Sequence, residues 1–130
     1  MTPTTAPRTI LLVEDDESLA SILARHLSAH DLPTTIASSA EEAEERLDGG
    51  LRPAVLLLDI NLPGGTGWSL LRGTAFAAAG SPPVIVVSAV NVPTARLREH
   101  GVAGYLPKPF APETLRATIE RVLETEGNEE

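Results

Sequence analysis

The residues best suited to chemistry are Glu14, Asp15 and Asp16, which close one apolar run, Asp59 and Ser88, which close two others, and Lys108, which follows a fourth just before Pro109. Carboxylates gathered in one place without compensation repel and raise one another's pKa, so a cation is the expected complement. A donor set of oxygens without His or Cys suits Mg²⁺, a hard ion that keeps several of its waters. Each residue alone has a plainer reading. Glu14 to Glu17 is an acidic helix start, Asp59 a cap, Ser88 a turn residue, Tyr105 core packing and Lys108 a solvated charge. Their joint placement at the ends of separate strands gives them chemical meaning.

The strands that would place them are runs rich in β-branched residues at Thr9 to Val13, Pro33 to Ala37, Ala54 to Leu58 and Val84 to Val87, with a shorter one at Gly104 to Leu106. The apolar stretches are continuous rather than alternating, as expected of strands covered on both faces. Helical patterns separate them. Leu19, Ile22, Leu23 and Leu27 mark one face of a first helix from about Asp16 to His30. A second starts at the Ser38, Ser39 cap and stops at Gly49 and Gly50. A third spans Thr66 to Ala79, with packing overriding the cost of an interior Gly73. Pro93 starts a short fourth helix and Pro112 a fifth, whose stripe is Leu115, Ile119, Val122 and Leu123. Five β-α units predict a doubly wound α/β domain with a five-stranded parallel sheet and five helices, its site beyond the carboxyl ends of the strands. Residues 1–8 read as a flexible extension, 9–126 as the domain and 127–130 as an acidic tail.

Composition narrows the functions. The chain has 130 residues and a formal net charge of −8, with ten Lys and Arg, so it is the size of one domain and is poorly suited to a phosphate backbone. No nucleic acid is expected as a direct partner. Without cysteine there is no thiolate site or thiol nucleophile. No apolar run reaches the roughly 20 residues that span a bilayer, and no signal-peptide pattern opens the chain, so a cytoplasmic protein that binds no membrane is expected.

The segments ILLVEDDES at 10 to 18, LLLDINLPGGTG at 56 to 67, VIVVSA at 84 to 89 and GYLPKPF at 104 to 110 resemble response-regulator receiver domains, in the family's order. The resemblance runs from Ile10 to about Leu123. It implies strand order 2-1-3-4-5, an order for which a receiver is itself a standard example. It implies Asp59 as phosphoacceptor, Glu14, Asp15, Asp59 and the Asn61 carbonyl around Mg²⁺, and Ser88, Lys108 and Tyr105 as phosphoryl-stabilising and switching residues. It also implies a cis Lys108-Pro109 bond. The donor would be a sensor histidine kinase or phosphotransfer protein, and the output a contact with a downstream protein. The chain would then be a stand-alone phosphoacceptor rather than an enzyme. Glycines after Asp59 would allow close backbone approach at the site.

Some features depart from that pattern or stand apart from it. The interval from Ser88 to Gly101 is shorter than in the family, which predicts a shortened or displaced fourth helix, and Val90 offers no polar group. Ala20, Ser21 and Ala24 face away from the apolar stripe of the first helix; they are either good helix formers or, by resemblance, a docking face for the donor. His26 and His30 have a spacing that can bind metal on a helix, but with no third ligand nearby they read as packing. Trp68 should pack the third helix onto the domain without a stacking partner, and His100 should favour a helix C-terminus. Two other functions share these residues: a receiver acting by constitutive contact, and a Mg²⁺-dependent phosphohydrolase with Asp15 as nucleophile.

Overall fold

The computed structural model describes residues 8–62 and 65–127. Its elements are β1 (Ile10–Val13), α1 (Glu17–Ser28), β2 (Thr34–Ala37), α2 (Ala40–Asp48), β3 (Val55–Asp59), β4 (Asn61–Leu62), β5 (Gly65–Thr66), α3 (Trp68–Leu71), α4 (Thr74–Ala78), β6 (Val84–Ser88), α5 (Thr94–Glu99), β7 (Gly104–Pro107) and α6 (Pro112–Gly127). Five strands form one parallel sheet in the order β2-β1-β3-β6-β7, which is 2-1-3-4-5 once the small β4-β5 hairpin is set aside. The expected fold class and strand order are found.

Side chains alternate across a strand, and the sheet sorts them into two cores. Leu11, Val13, Leu56, Leu58, Val84 and Val86 face one layer, with Leu47 of α2, Leu70 of α3 and Ala75 of α4. Ile10, Leu12, Val55, Leu57 and Ile85 face the other, with Leu23 and Leu27 of α1 and Leu115 and Ile119 of α6. Every residue of β1, β3 and β6 is buried, which explains why those runs carry no polar alternation.

Local signals set most boundaries. Asp16 caps α1 by accepting from the Leu19 amide at 3.1 Å, and Ser39 caps α2 by accepting from the Glu42 amide at 3.1 Å. Gly50 follows α2 at φ 109°, a conformation that favours glycine. Pro112 is the first residue of α6, as expected, whereas Pro93 is the N-cap of α5 and Thr94 its first residue. The short fourth helical segment of the sequence reading is thus α5, and none of its residues is buried.

Three expectations require correction. The helix from Thr66 to Ala79 is two short helices separated at Gly73, whose ψ of 164° is extended, so the described residues form six helices where five were expected. Packing does not override the glycine; Thr66 belongs instead to the hairpin, and Gly73 is the N-cap of α4. In α1, Ile22 is 57% exposed while Ala20 is 1% exposed. The inward face therefore runs through Ala20, Leu23 and Leu27, leaving Ser21 exposed and Ala24 half-buried. Gly127 ends α6 rather than beginning a tail. The expected extension at 1–7 and residues 128–130 lie outside the described residues, as do Pro63 and Gly64.

Candidate functional site

The two-residue period of the strands determines which groups meet. Glu14 continues the row of Ile10 and Leu12, Asp59 that of Val55 and Leu57, and Lys108 that of Leu106, all on the α1 and α6 face. The three side chains converge. Lys108 Nζ donates to Glu14 Oε1 at 2.8 Å and to Asp59 Oδ2 at 2.9 Å. Glu14 and Asp59 are 2% and 4% exposed, so this is a largely desolvated group of two carboxylates and one ammonium.

Backbone donors occupy the remaining carboxylate oxygens. The Asp16 amide reaches Glu14 Oε2 at 3.1 Å, and the Asn61 amide reaches Asp59 Oδ1 at 3.0 Å. Burial pushes the Glu14 carboxyl above its ordinary range, against the lowering effect of its bonds from Lys108 and Asp16. Burial opposes the charge of Lys108, but the bonds to Glu14 and Asp59 prevail and its pKa is raised. The acidic run thus has separate tasks: Glu14 is buried, Asp15 lies exposed at the rim, and Asp16 caps α1.

Ligand oxygens of Glu14, Asp15 and Asp59 lie within 4.8 Å of one another. An octahedral shell at about 2.1 Å places neighbouring oxygens about 3 Å apart, so the group fits a small hard cation after modest closure or with a bridging water. The donor chemistry is also right for Mg²⁺, being wholly oxygen. Asn61 stands at the site through its amide.

Ser88 and Tyr105 belong to the opposite face. Ser88 continues the row of Val84 and Val86, and Tyr105 packs against the same core. The Ser88 hydroxyl oxygen accepts from the Val90 amide at 3.1 Å, and the Tyr105 hydroxyl donates to the Val90 carbonyl at 3.4 Å. The Lys108 amide donates to the Ser88 carbonyl at 2.8 Å, tying the two faces together through backbone. The Lys108-Pro109 bond is cis, as expected.

The sequence places Gly67 among the glycines after Asp59 that allow positive φ and close backbone approach, and of those two roles the structure gives it the second. Gly67, at φ −65°, has no need of glycine's freedom in φ. A Cβ there would lie 2.8 Å from the Asp59 carbonyl oxygen and 3.0 Å from two Leu58 side-chain atoms. The requirement is space beneath the strand end. The β4-β5 hairpin folds back so that the Gly67 amide donates to the Ile60 carbonyl at 2.9 Å.

Trp68 is buried, as expected, but it has a stacking partner. The His100 ring lies 4.5 Å from it at an interplanar angle of 16°, and the Arg96 guanidinium stands 5.3 Å from the ring centroid. His100 is also the C-cap residue of α5.

The family model described as Response regulator receiver domain matches residues 10–120. This chain belongs to that family. The receiver is 32% identical over 120 residues to Protein PetR of Rhodobacter capsulatus, covering 91% of this chain and 49% of that protein. It is also 32% identical over 115 residues to the Transcriptional regulatory protein RstA of Escherichia coli, covering 85% of this chain and 46% of that one. The chain therefore spans about half the length of these curated relatives. Among solved structures, a CheY-like receiver domain protein from Methanospirillum hungatei superposes with a TM-score of 0.87 at 24% identity, covering 96% of this chain and all of that one. A putative response regulator from Chloroflexus aurantiacus gives 0.77 at 30% identity, covering 92% and 99%. Receivers are phosphoacceptor signalling domains of two-component systems, and they generally bind Mg²⁺ at an acidic pocket. In this receiver no described helix is long and apolar enough to cross a membrane.

Proposed function

We propose that this receiver accepts a phosphoryl group on Asp59 from a sensor histidine kinase or phosphotransfer protein, with Mg²⁺ held by Glu14, Asp15, Asp59 and the Asn61 carbonyl. The observation that carries the reading is the Lys108 ammonium, 2.8 Å from Glu14 and 2.9 Å from Asp59. A carboxylate that attacks phosphorus must approach an anionic group, and a fixed cation offsets that repulsion. The bond formed joins an Asp59 oxygen to phosphorus; the bond broken joins phosphorus to the donor's imidazole nitrogen. Lys108 stays protonated and follows the charge onto the phosphoryl oxygens. Mg²⁺, when bound, would supply further neutralisation of those oxygens.

Ser88 and Tyr105 are proposed to report the event. The Ser88 oxygen already accepts from the Val90 amide, and its O–H remains available to donate to a phosphoryl oxygen. That contact exists only in the modified state, so it favours one arrangement of Ser88, Val90 and Tyr105 over another. The change would be read by a protein surface, because a net charge of −8 disfavours direct contact with nucleic acid. Asp15 is exposed and Asp59 is buried and held by two donors, which favours Asp59 over Asp15 as the nucleophile.

Incubation with Mg²⁺ and a small acyl phosphate, followed by intact-mass measurement, should add one phosphoryl group to the wild type and none to Asp59→Asn. Modification that survives Asp59→Asn, or an unmodified wild type even with a panel of histidine kinases, would overturn the reading.

A further inference from the structure

His26 near the end of α1, His30 just beyond it and Glu113 in the first turn of α6 bring three metal-ligating side chains together, apart from the acidic site and sharing no residue with it. We propose that they form a zinc site that joins α1 to α6. The reading of His26 and His30 as packing residues lacked a third ligand, and Glu113 supplies it from the far end of the sequence.

The geometry is close to what the ion requires. His26 Nε2 and Glu113 Oε1 are 3.4 Å apart. Two ligands at about 2.05 Å from a tetrahedral zinc are about 3.4 Å from each other, so this separation is the one that two ligands of a single ion adopt. One ligand atom from each of the three residues lies within 4.8 Å of the others. The two imidazoles are 4.6 Å apart between centroids. Solvent supplies the fourth position, since His30 and Glu113 are both exposed.

The surroundings also suit a metal. His26 Nε2 is shielded from solvent and faces Glu113 Oε1 at 3.4 Å, with no properly formed hydrogen bond to any described residue. His30 Nδ1 lies 2.9 Å from the His26 carbonyl, to which it can only donate, and this fixes the tautomer that leaves the Nε2 lone pair free. Arg116 pairs with both oxygens of Glu113 and so holds the carboxylate in place. Each carboxylate oxygen has a second lone pair beyond the one Arg116 engages. Two imidazoles and one carboxylate select a zinc-type ion, whereas the oxygen-only group around Asp59 selects a hard one. The chain thus separates two classes of cation, and this site does not depend on the phosphoacceptor reading.

Equilibrium dialysis against Zn²⁺ with Mg²⁺ in large excess tests the proposal. The wild type should retain one Zn²⁺ per chain. His26→Gln and His30→Gln should each weaken binding by at least about tenfold, while Asp15→Asn leaves it unchanged. His30 is exposed and His26 half-buried, and circular dichroism checks that each variant is folded. Co²⁺ in place of Zn²⁺ should give the intense visible absorption of four-coordinate cobalt, which is lost in His30→Gln. A wild type that retains no Zn²⁺ would overturn the proposal, as would Zn²⁺ retained in full by both His variants or released by Asp15→Asn.

Discussion

The two faces of one sheet end are built to different standards. On the α1 and α6 face, Glu14, Asp59 and Lys108 are locked by four hydrogen bonds of 2.8 to 3.1 Å, and both carboxylates are buried. On the opposite face, Tyr105 reaches the Val90 carbonyl at 3.4 Å, Val90 is exposed, and α5 buries no residue. The charged group is over-determined, while the hydroxyl and aromatic pair rests on few contacts. A fixed charge arrangement beside a lightly held segment is what a switch needs: the chemistry stays registered while its consequence has room to move.

Removing the cation should break this contrast most severely. Lys108→Ala leaves two adjacent buried carboxylates unpaired and should cost about 3 kcal/mol in urea unfolding without divalent ions, with Mg²⁺ restoring part of the loss. If stability is unchanged, the group is not desolvated in the way described. Gly67→Ala attacks the same strand end from below. Its Cβ would meet the Asp59 carbonyl, so a loss of about 2 kcal/mol and slower phosphorylation are expected, against no loss if the hairpin can lift away.

Alkaline titration should have a smaller, reversible effect. The pKa of Lys108 is raised in the folded chain, so its stabilising contribution is complete below about 10.5 and disappears as pH rises through the higher folded value. Asp59→Asn should flatten that decline in a pH series of unfolding midpoints. A decline of the same size in the variant would show that Asp59 is not what holds the proton on Lys108. Least of all, Tyr105→Phe loses one long, exposed hydrogen bond and should shift stability by no more than about 0.5 kcal/mol. A loss several times larger would mean the second face is as firmly fixed as the first.

Much of this was legible in the sequence because the strands are buried on both faces and end in the residues that matter. Ile10 to Val13, Val55 to Leu58 and Val84 to Val87 marked the sheet, and the acids, Ser88 and Lys108 sat at its ends. The division of those residues between two faces was also available, since Ile10, Leu12 and Glu14 keep a period of two, but continuous apolar runs hide alternation. Other features depended on contacts absent from any local pattern. Apolar residues on both sides of Gly73 suggested one helix, and the two-residue strands β4 and β5 are too short to show periodicity. Ile22 looked more like a core residue than Ala20, yet Ala20 shares the inward face of α1 with Leu23 and Leu27 while Ile22 is left to solvent. Glu113 joins His26 only through tertiary packing.

The Trp68-His100 stack gives the molecule a means of observation. The chain has one tryptophan and one tyrosine, and both lie on the loosely held face. Ultraviolet emission from the unlabelled protein therefore samples that face and none of the charged group directly. A shift of α5 that parts His100 from the indole would change Trp68 brightness, so the lightly fixed half carries its own optical gauge.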